Sequence, residues 1–392
     1  MNETQDSTSV VTSIRSEDHQ TPADGAETPG ELVGDPVRYI GQVLAYAVKQ
    51  KASDIHLRAR THPVIRVDSV LQPATRFPQP SVADMEHIAT KIMTPRHWDI
   101  LQTEYQVDIS IGMKGIGRVR VNVYHQRGTI AMALRVIQST VPKPEEINLP
   151  PMVKNFVHYE RGLVLLTGAT GSGKSTTIAS LINEINQQYP KHIITIEDPI
   201  EFLFNDAQSI ISQRELGVDA TTFSMAMTAA LREDPDVILL GEMRDATTME
   251  TALTAAETGH LVFSTLHSPA AAETVTRIIA SFQPEAQPTI RSKLAQNLLA
   301  VVAQRLLPSA SGEGRIVACE IMTVSQRIRE LILDPLKVKD IADLVKKGAT
   351  VEGMLSFDQH LFELVKTGHI TEDMALQHAS SATDLKLKLD GF

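Results

Sequence analysis

The sequence predicts an α/β protein whose centre is a mostly parallel sheet, preceded by a smaller α+β domain. Three observations predict it. A glycine-rich run, Gly168-Ala169-Thr170-Gly171-Ser172-Gly173-Lys174-Ser175, stands between an apolar run at 163–166 and a helical stretch at 176–185, the strand–turn–helix context in which such a loop wraps a phosphate. Further apolar runs at 192–196, 237–240 and 261–265 alternate with helical stretches and end in polar groups, as parallel strands do where a ligand collects at their carboxyl edge. Upstream of residue 140 the pattern is a strict alternation instead. Val119, Val121 and Val123 share one face and Arg118, Arg120 and Asn122 the other, which marks half-buried antiparallel strands.

The elements follow in order. Residues 1–34 are rich in Ser, Thr, Asp, Glu, Gly and Pro, lack periodic apolar positions and read as a disordered tail. The first domain spans 35–140. Asp35-Pro36 opens a helix with Val37, Ile40, Leu44 and Ala47 on one face. Strands are expected at 64–67, 107–111, 118–124 and 131–137, with a helix at 82–93; Ser53-Asp54-Ile55-His56-Leu57 precedes the first of them. The proline-rich stretch 141–151 reads as a linker. The core at 152–284 adds helices at 222–232 and 247–257 to the strands above. The remainder, 285–392, reads as a helical subdomain with helices at 289–306, 325–333, 338–347, 356–367 and 371–378.

Bulk properties exclude several functions. The 392 residues suffice for two or three domains. A net charge of -10 argues against a broad grip on nucleic acid. Cys319 is the only cysteine, which excludes a disulfide framework and a four-cysteine zinc site and fits a reducing cytoplasm. The acidic N-terminus is no signal peptide, and no apolar run reaches the roughly 18 residues of a membrane span.

The glycine-rich loop carries specific chemistry. Glycines let backbone N–H groups turn inward on a phosphate, and the helix that follows adds its positive dipole end. Lys174 suits the β- and γ-phosphates of a nucleotide, and the Ser175 hydroxyl suits Mg²⁺. Splitting a phosphoanhydride also needs a positioned water. Glu242, at the end of the 237–240 strand, is the candidate to orient or activate it, although Gly241 stands where an acid usually precedes. Glu197, Asp198 and Glu201 form a second acidic cluster at a strand end, and His260 and His267 flank the 261–265 strand.

With these motifs in this order, the chain resembles the secretion ATPase superfamily and, within it, the type IV pilus retraction ATPases of the PilT and PilU branches. The residues that carry the resemblance are Gly168 to Thr176 (Walker A) and Ile196-Glu197-Asp198-Pro199-Ile200-Glu201-Phe202 (the Asp box). They continue with 231–245, ending Gly241-Glu242-Met243-Arg244-Asp245 (Walker B), and 255–267, including Gly259-His260-Leu261 and His267 (the His box). The likeness covers almost everything after Asp35.

The resemblance implies a PAS-like first domain joined to a RecA-like P-loop ATPase domain in a homo-hexamer that uses ATP and Mg²⁺. It implies a cytoplasmic motor at the inner-membrane face, with an inner-membrane platform protein and a paralogous retraction ATPase as partners and no nucleic acid. By the same resemblance, Glu242 is the catalytic glutamate and Glu201 an Asp-box acid acting near Mg²⁺ and water. His260 and His267 sense the γ-phosphate or bridge domains, and Arg120 and Arg135 reach the phosphates from the first domain. The family's C-terminal motif Ala-Ile-Arg-Asn-Leu-Ile-Arg-Glu is only partly kept at 327–334: Ile328, Arg329, Leu331 and Ile332 match, while Arg327, Glu330, Leu333 and Asp334 differ. An assembly or secretion motor of the same superfamily is the alternative, although assembly motors carry a four-cysteine zinc element that this chain lacks. A nucleotide-binding scaffold without turnover and a nucleic-acid translocase are the remaining readings.

Overall fold

In a computed structural model, residues 35–67, 70–113, 115–137, 140–348 and 353–391 are described; the tail expected at 1–34 lies outside them. The chain divides into two compact units, Met1–Ser139 and Thr140–Phe392.

The first unit is built on an antiparallel sheet of β1 (Asp54–Arg58), β2 (Val64–Val67), β3 (Val70–Pro73), β4 (Gln106–Met113), β5 (Gly117–Gln126) and β6 (Thr129–Val136), ordered β3-β2-β1-β6-β5-β4. Helix Pro36–Lys49 starts where expected, with the Asp35 carboxylate accepting from Val37 N–H at 2.9 Å. Helices Val82–Ile92 and Pro95–Glu104 each begin with a capping box; sequence reasoning missed the second. Val119, Val121 and Val123 are fully buried on the inner face of β5, each contributing about 1.5–3 kcal/mol of burial.

Arg120 and Arg135 stand directly opposite one another on β5 and β6. Facing like charges destabilise a strand pair, and here each has a carboxylate to offset that cost. Arg135 donates to Asp54 at 2.9 and 2.6 Å, and Arg120 lies 3.6 Å from Asp108. Burial pushes the Asp54 carboxyl up, but the Ser53 hydroxyl and Arg135 together outweigh it and hold the group below the usual carboxylate range.

The second unit contains a sheet of β7 (Gly162–Thr167), β8 (His192–Glu197), β9 (Ile210–Glu215), β10 (Val237–Leu240), β11 (Leu261–Leu266), β12 (Leu298–Pro308) and β13 (Arg315–Thr323), ordered β13-β12-β7-β11-β10-β8-β9. Every neighbouring pair is parallel except β12–β13. β7 is buried along its whole length. Leu163 and Leu165 join one core layer with the helices Phe223–Ala230, Ala246–Glu257, Ala271–Ala280 and Gln287–Asn297. Val164 and Leu166 join the other with helix Lys174–Gln188. Burial on both faces is why these strands read as unbroken apolar runs.

Three expectations need correction. The single helix expected at 289–306 is helix Gln287–Asn297 followed by β12. Leu298-Leu299-Ala300-Val301-Val302-Ala303 is buried almost throughout and lies beside β7, and such a run has no period to separate strand from helix. The region after 285 is therefore not purely helical, because β12 and β13 complete the central sheet. The stretch read as a linker folds with the second unit, where Leu149 is buried against the Val153–Phe156 turn.

The outer edge of β13 is closed by later chain. Ile321 exchanges backbone bonds with Leu355 at 2.7 and 3.0 Å. Nδ1 of the buried His360, on helix Phe357–Lys366, accepts from Cys319 N–H at 2.9 Å. In helix Gln326–Leu333, Ile328 and Ile332 are fully buried core.

Candidate nucleotide site

Parallel registry brings the carboxyl ends of β7, β11, β10 and β8 to one sheet edge: Thr167 lies beside Leu266, Ser264 beside Leu240, and Leu240 beside Ile196. The residues that follow these strand tips line a cavity of about 300 Å³. Lys174, Ser175, Glu197, Asp198, Glu201, Glu242, Arg244 and His267 all face it. The expected Lys174, Ser175, Glu201, Glu242 and His267 are thus brought together.

The glycine-rich loop needs its glycines. Gly168 and Gly173 have φ of 140° and 90°, and a Cβ on Gly168 would come within 2.5 Å of the Gln304 carbonyl and 2.7 Å of the Ser172 hydroxyl. Ala169, Thr170 and Gly171 form the exposed lip of the loop, and Ser172 is buried. Thr176 lies in the first turn of helix Lys174–Gln188, whose N-terminus carries no side-chain cap, so its inward N–H groups suit an anion. The Lys174 ammonium donates to the carbonyls of Gly168 and Ala169 at 2.9 Å each. Burial lowers its pKa, and Glu201 opposes that shift.

Glu242 is half-buried and held from two sides. Arg244 Nε pairs with one carboxylate oxygen, and His267 Nε2 lies 3.4 Å from the other. Arg244 also reaches Asp198 at 3.7 Å. The strand tips beneath are tied together: Thr265 Oγ1 donates to the Gly241 carbonyl at 2.7 Å, and Met243 N–H to the Thr265 carbonyl at 3.1 Å. His267 has its pKa lowered by burial and then by Lys174, Arg277 and Arg244, which favours the neutral imidazole. Its carbonyl accepts from Arg277. Glu197 is buried beneath the cavity, and burial pushes its carboxyl up to about 7 despite bonds from Thr195, Glu201 N–H and Gln213.

His260 does not join this group. It precedes the amino end of β11 and bonds to the Ala255 carbonyl at 2.9 Å. The six residues of β11 separate it from His267, roughly 20 Å at about 3.3 Å per residue. It therefore lies at the opposite edge of the sheet from the cavity. Arg120 and Arg135 belong to the first unit, where they hold the ion pairs described above. Arg244 was missed by sequence reasoning, although its position two residues after Glu242 was a usable signal.

The donor set fits a nucleotide with a hard cation. The loop is an anion cradle with no room for a Cβ at Gly168, and the Ser175 hydroxyl with the Asp198 and Glu201 carboxylates offers oxygen ligands only. Among the described residues no cluster of three or more His, Cys, Asp or Glu could hold a metal unaided; Mg²⁺ typically takes one or two protein ligands plus phosphates.

Comparison with known proteins gives the same reading. The profile of the family described as "Type II/IV secretion system protein" matches residues 34–386. The type IV pilus retraction ATPase PilT of Pseudomonas aeruginosa is 40% identical over 340 residues, which are 87% of this chain and 98% of that protein. The type IV pilus ATPase PilU of the same organism is 36% identical over 348 residues, 89% of this chain and 90% of that one. A crystal structure of the pilus retraction motor PilT with bound ADP superposes with a TM-score of 0.82 at 42% identity, covering 88% of this chain and 98% of that one.

Proposed function

This chain belongs to the type II/IV secretion system protein family and is a P-loop ATPase, and from that premise we propose that it is a hexameric motor that hydrolyses ATP to retract type IV pili. Retraction here means pilin disassembly that drives twitching motility, worked at the cytoplasmic face of the inner membrane on a platform protein. No helix among the described residues is long and apolar enough to cross a membrane.

One observation carries the reading: Lys174, Glu201, Glu242 and His267, from four different strand tips, face a single cavity. Lys174 leaves its loop carbonyls for the β- and γ-phosphates. Ser175 and Glu201 would hold Mg²⁺, which would supply charge neutralisation on the phosphate oxygens. Glu242 orients the attacking water and accepts its proton, a role that requires Arg244 to release one carboxylate oxygen. The Arg244 end of the pair is exposed while Glu242 is half-buried, so water can take up the freed guanidinium. Neutral His267 donates toward the γ-phosphate region. Arg120 and Arg135 are proposed as further cationic residues that turnover needs; Arg120→Ala and Arg135→Ala test this and should lose turnover in folded protein.

The motor reading is tested by deleting the gene. Cells should remain piliated but fail to retract and twitch. Bald cells would contradict retraction and point to an assembly or secretion motor of the same family.

A further inference from the structure

The loop from Asp198 to Phe204 carries Glu201 between β8 and β9, and its Ile200 and Phe202 side chains are buried. Its polar anchors come from β8 and β9. Gln213 and Glu215 are two residues apart on that strand and so share a face. The Gln213 side-chain amide donates from Nε2 to the Phe202 carbonyl at 2.9 Å and accepts at Oε1 from Phe204 N–H at 2.9 Å. Only one orientation of the amide satisfies both bonds. Glu215 accepts from Ile200 N–H at 3.3 Å. Glu197, itself bonded by Thr195 Oγ1 at 2.7 Å, lies 3.4 Å from both Glu201 N–H and Gln213 Nε2. The backbone is therefore gripped before Glu201 and immediately after it. Gln213 meets the loop as a neighbouring strand would, offering one donor and one acceptor to alternate peptide groups.

We propose that Gln213 is the positioning residue for Glu201, its amide clamping Phe202 and Phe204 so that the Glu201 carboxylate is held at the Mg²⁺ position of the cavity. The inference rests on the assignment of Glu201 to Mg²⁺ made above. Gln213 touches neither nucleotide nor metal, and it acts through the loop. A carboxylate displaced by a fraction of an ångström still permits nucleotide to bind through the glycine-rich loop but loses the contribution of the metal.

The test uses full-length protein with Gln213→Met, which keeps length and removes both bonds, and Gln213→Glu, which keeps shape and the acceptor but loses the donor. Glu201→Gln is the reference. ADP affinity is measured by equilibrium binding in Mg²⁺ and in EDTA, alongside steady-state hydrolysis and thermal melting. Both Gln213 variants should bind ADP normally in EDTA and lose about 10-fold of the gain in affinity that Mg²⁺ brings, with kcat about 10-fold lower. Glu201→Gln should show the same pattern more strongly. Wild-type Mg²⁺ dependence and kcat in the folded Gln213 variants, with Glu201→Gln impaired, would overturn the clamp alone. Wild-type behaviour in Glu201→Gln would overturn the assignment of Glu201 and the clamp with it. A lowered melting temperature with unaltered Mg²⁺ dependence would reduce Gln213 to a structural role.

Discussion

The two margins of the seven-stranded sheet use buried polar groups in opposite ways. At the β8–β9 margin a carboxyl, Glu197, is buried under the cavity with its pKa pushed up to about 7, and neighbouring side chains grip the loop that carries Glu201. At the β12–β13 margin an imidazole, His360, is buried with its pKa pushed down to about 4, chiefly by burial, and it closes a sheet edge. The first margin gives up stability for the site. The second uses a neutral acceptor to seal an otherwise open strand. The expected division is that variants at the β8–β9 side lose turnover while the fold survives, and variants at the β12–β13 side lose stability while the chemistry of folded molecules survives.

The largest effect that sharpens this contrast belongs to the phosphate loop. Lys174→Ala should cut phosphate release on the order of 100-fold or more without lowering the melting temperature, since it removes a partly desolvated ammonium. At the β12–β13 margin, His360→Leu should cost about 1–3 kcal/mol in denaturant unfolding, because Cys319 N–H is left buried without an acceptor. Its turnover per folded molecule should stay near wild type. A His360 variant that folds normally yet fails to hydrolyse ATP would break the comparison.

Smaller effects come from titration, and their signs oppose. Glu197 has a folded pKa of about 7, above its unfolded value, so the folded state holds the extra proton and stability falls as pH rises from about 4.5 to about 7. Glu197→Gln should therefore raise stability at pH 8, by about 1–3 kcal/mol, and remove that slope. His360 has a folded pKa of about 4, below its unfolded value, so its contribution is present above pH 6.5 and is lost as pH falls toward 4. Melting curves across pH 4–8 on the nucleotide-free protein separate the two, because each substitution should flatten only its own limb.

Much of the site was legible because chemistry and local structure agreed. Lys174 and Ser175 sit where strand, glycine turn and helix meet, and Glu242 and His267 follow apolar runs too short to be anything but buried strands. The illegible parts have physical reasons. β12 is apolar on both faces and so lost its period. β9, Ile-Ile-Ser-Gln-Arg-Glu, is an edge strand with mostly half-buried positions, and Gln213 showed no signal because its partner is backbone from another segment. Helix Ala271–Ala280 has no local cap; Glu320, 49 residues away, accepts from Ala271 N–H at 2.8 Å. His260 shares a motif with His267, but a strand carries its two ends to opposite edges of a sheet, and sequence proximity conceals that.

The central claim is that groups from separate strand tips act on one bound triphosphate, with Glu242 handling the water. Steady-state phosphate release by purified full-length Glu242→Gln, with nucleotide affinity measured on the same sample, tests it most directly. Turnover should be lower by about 100-fold or more with affinity retained. Turnover equal to wild type would contradict it.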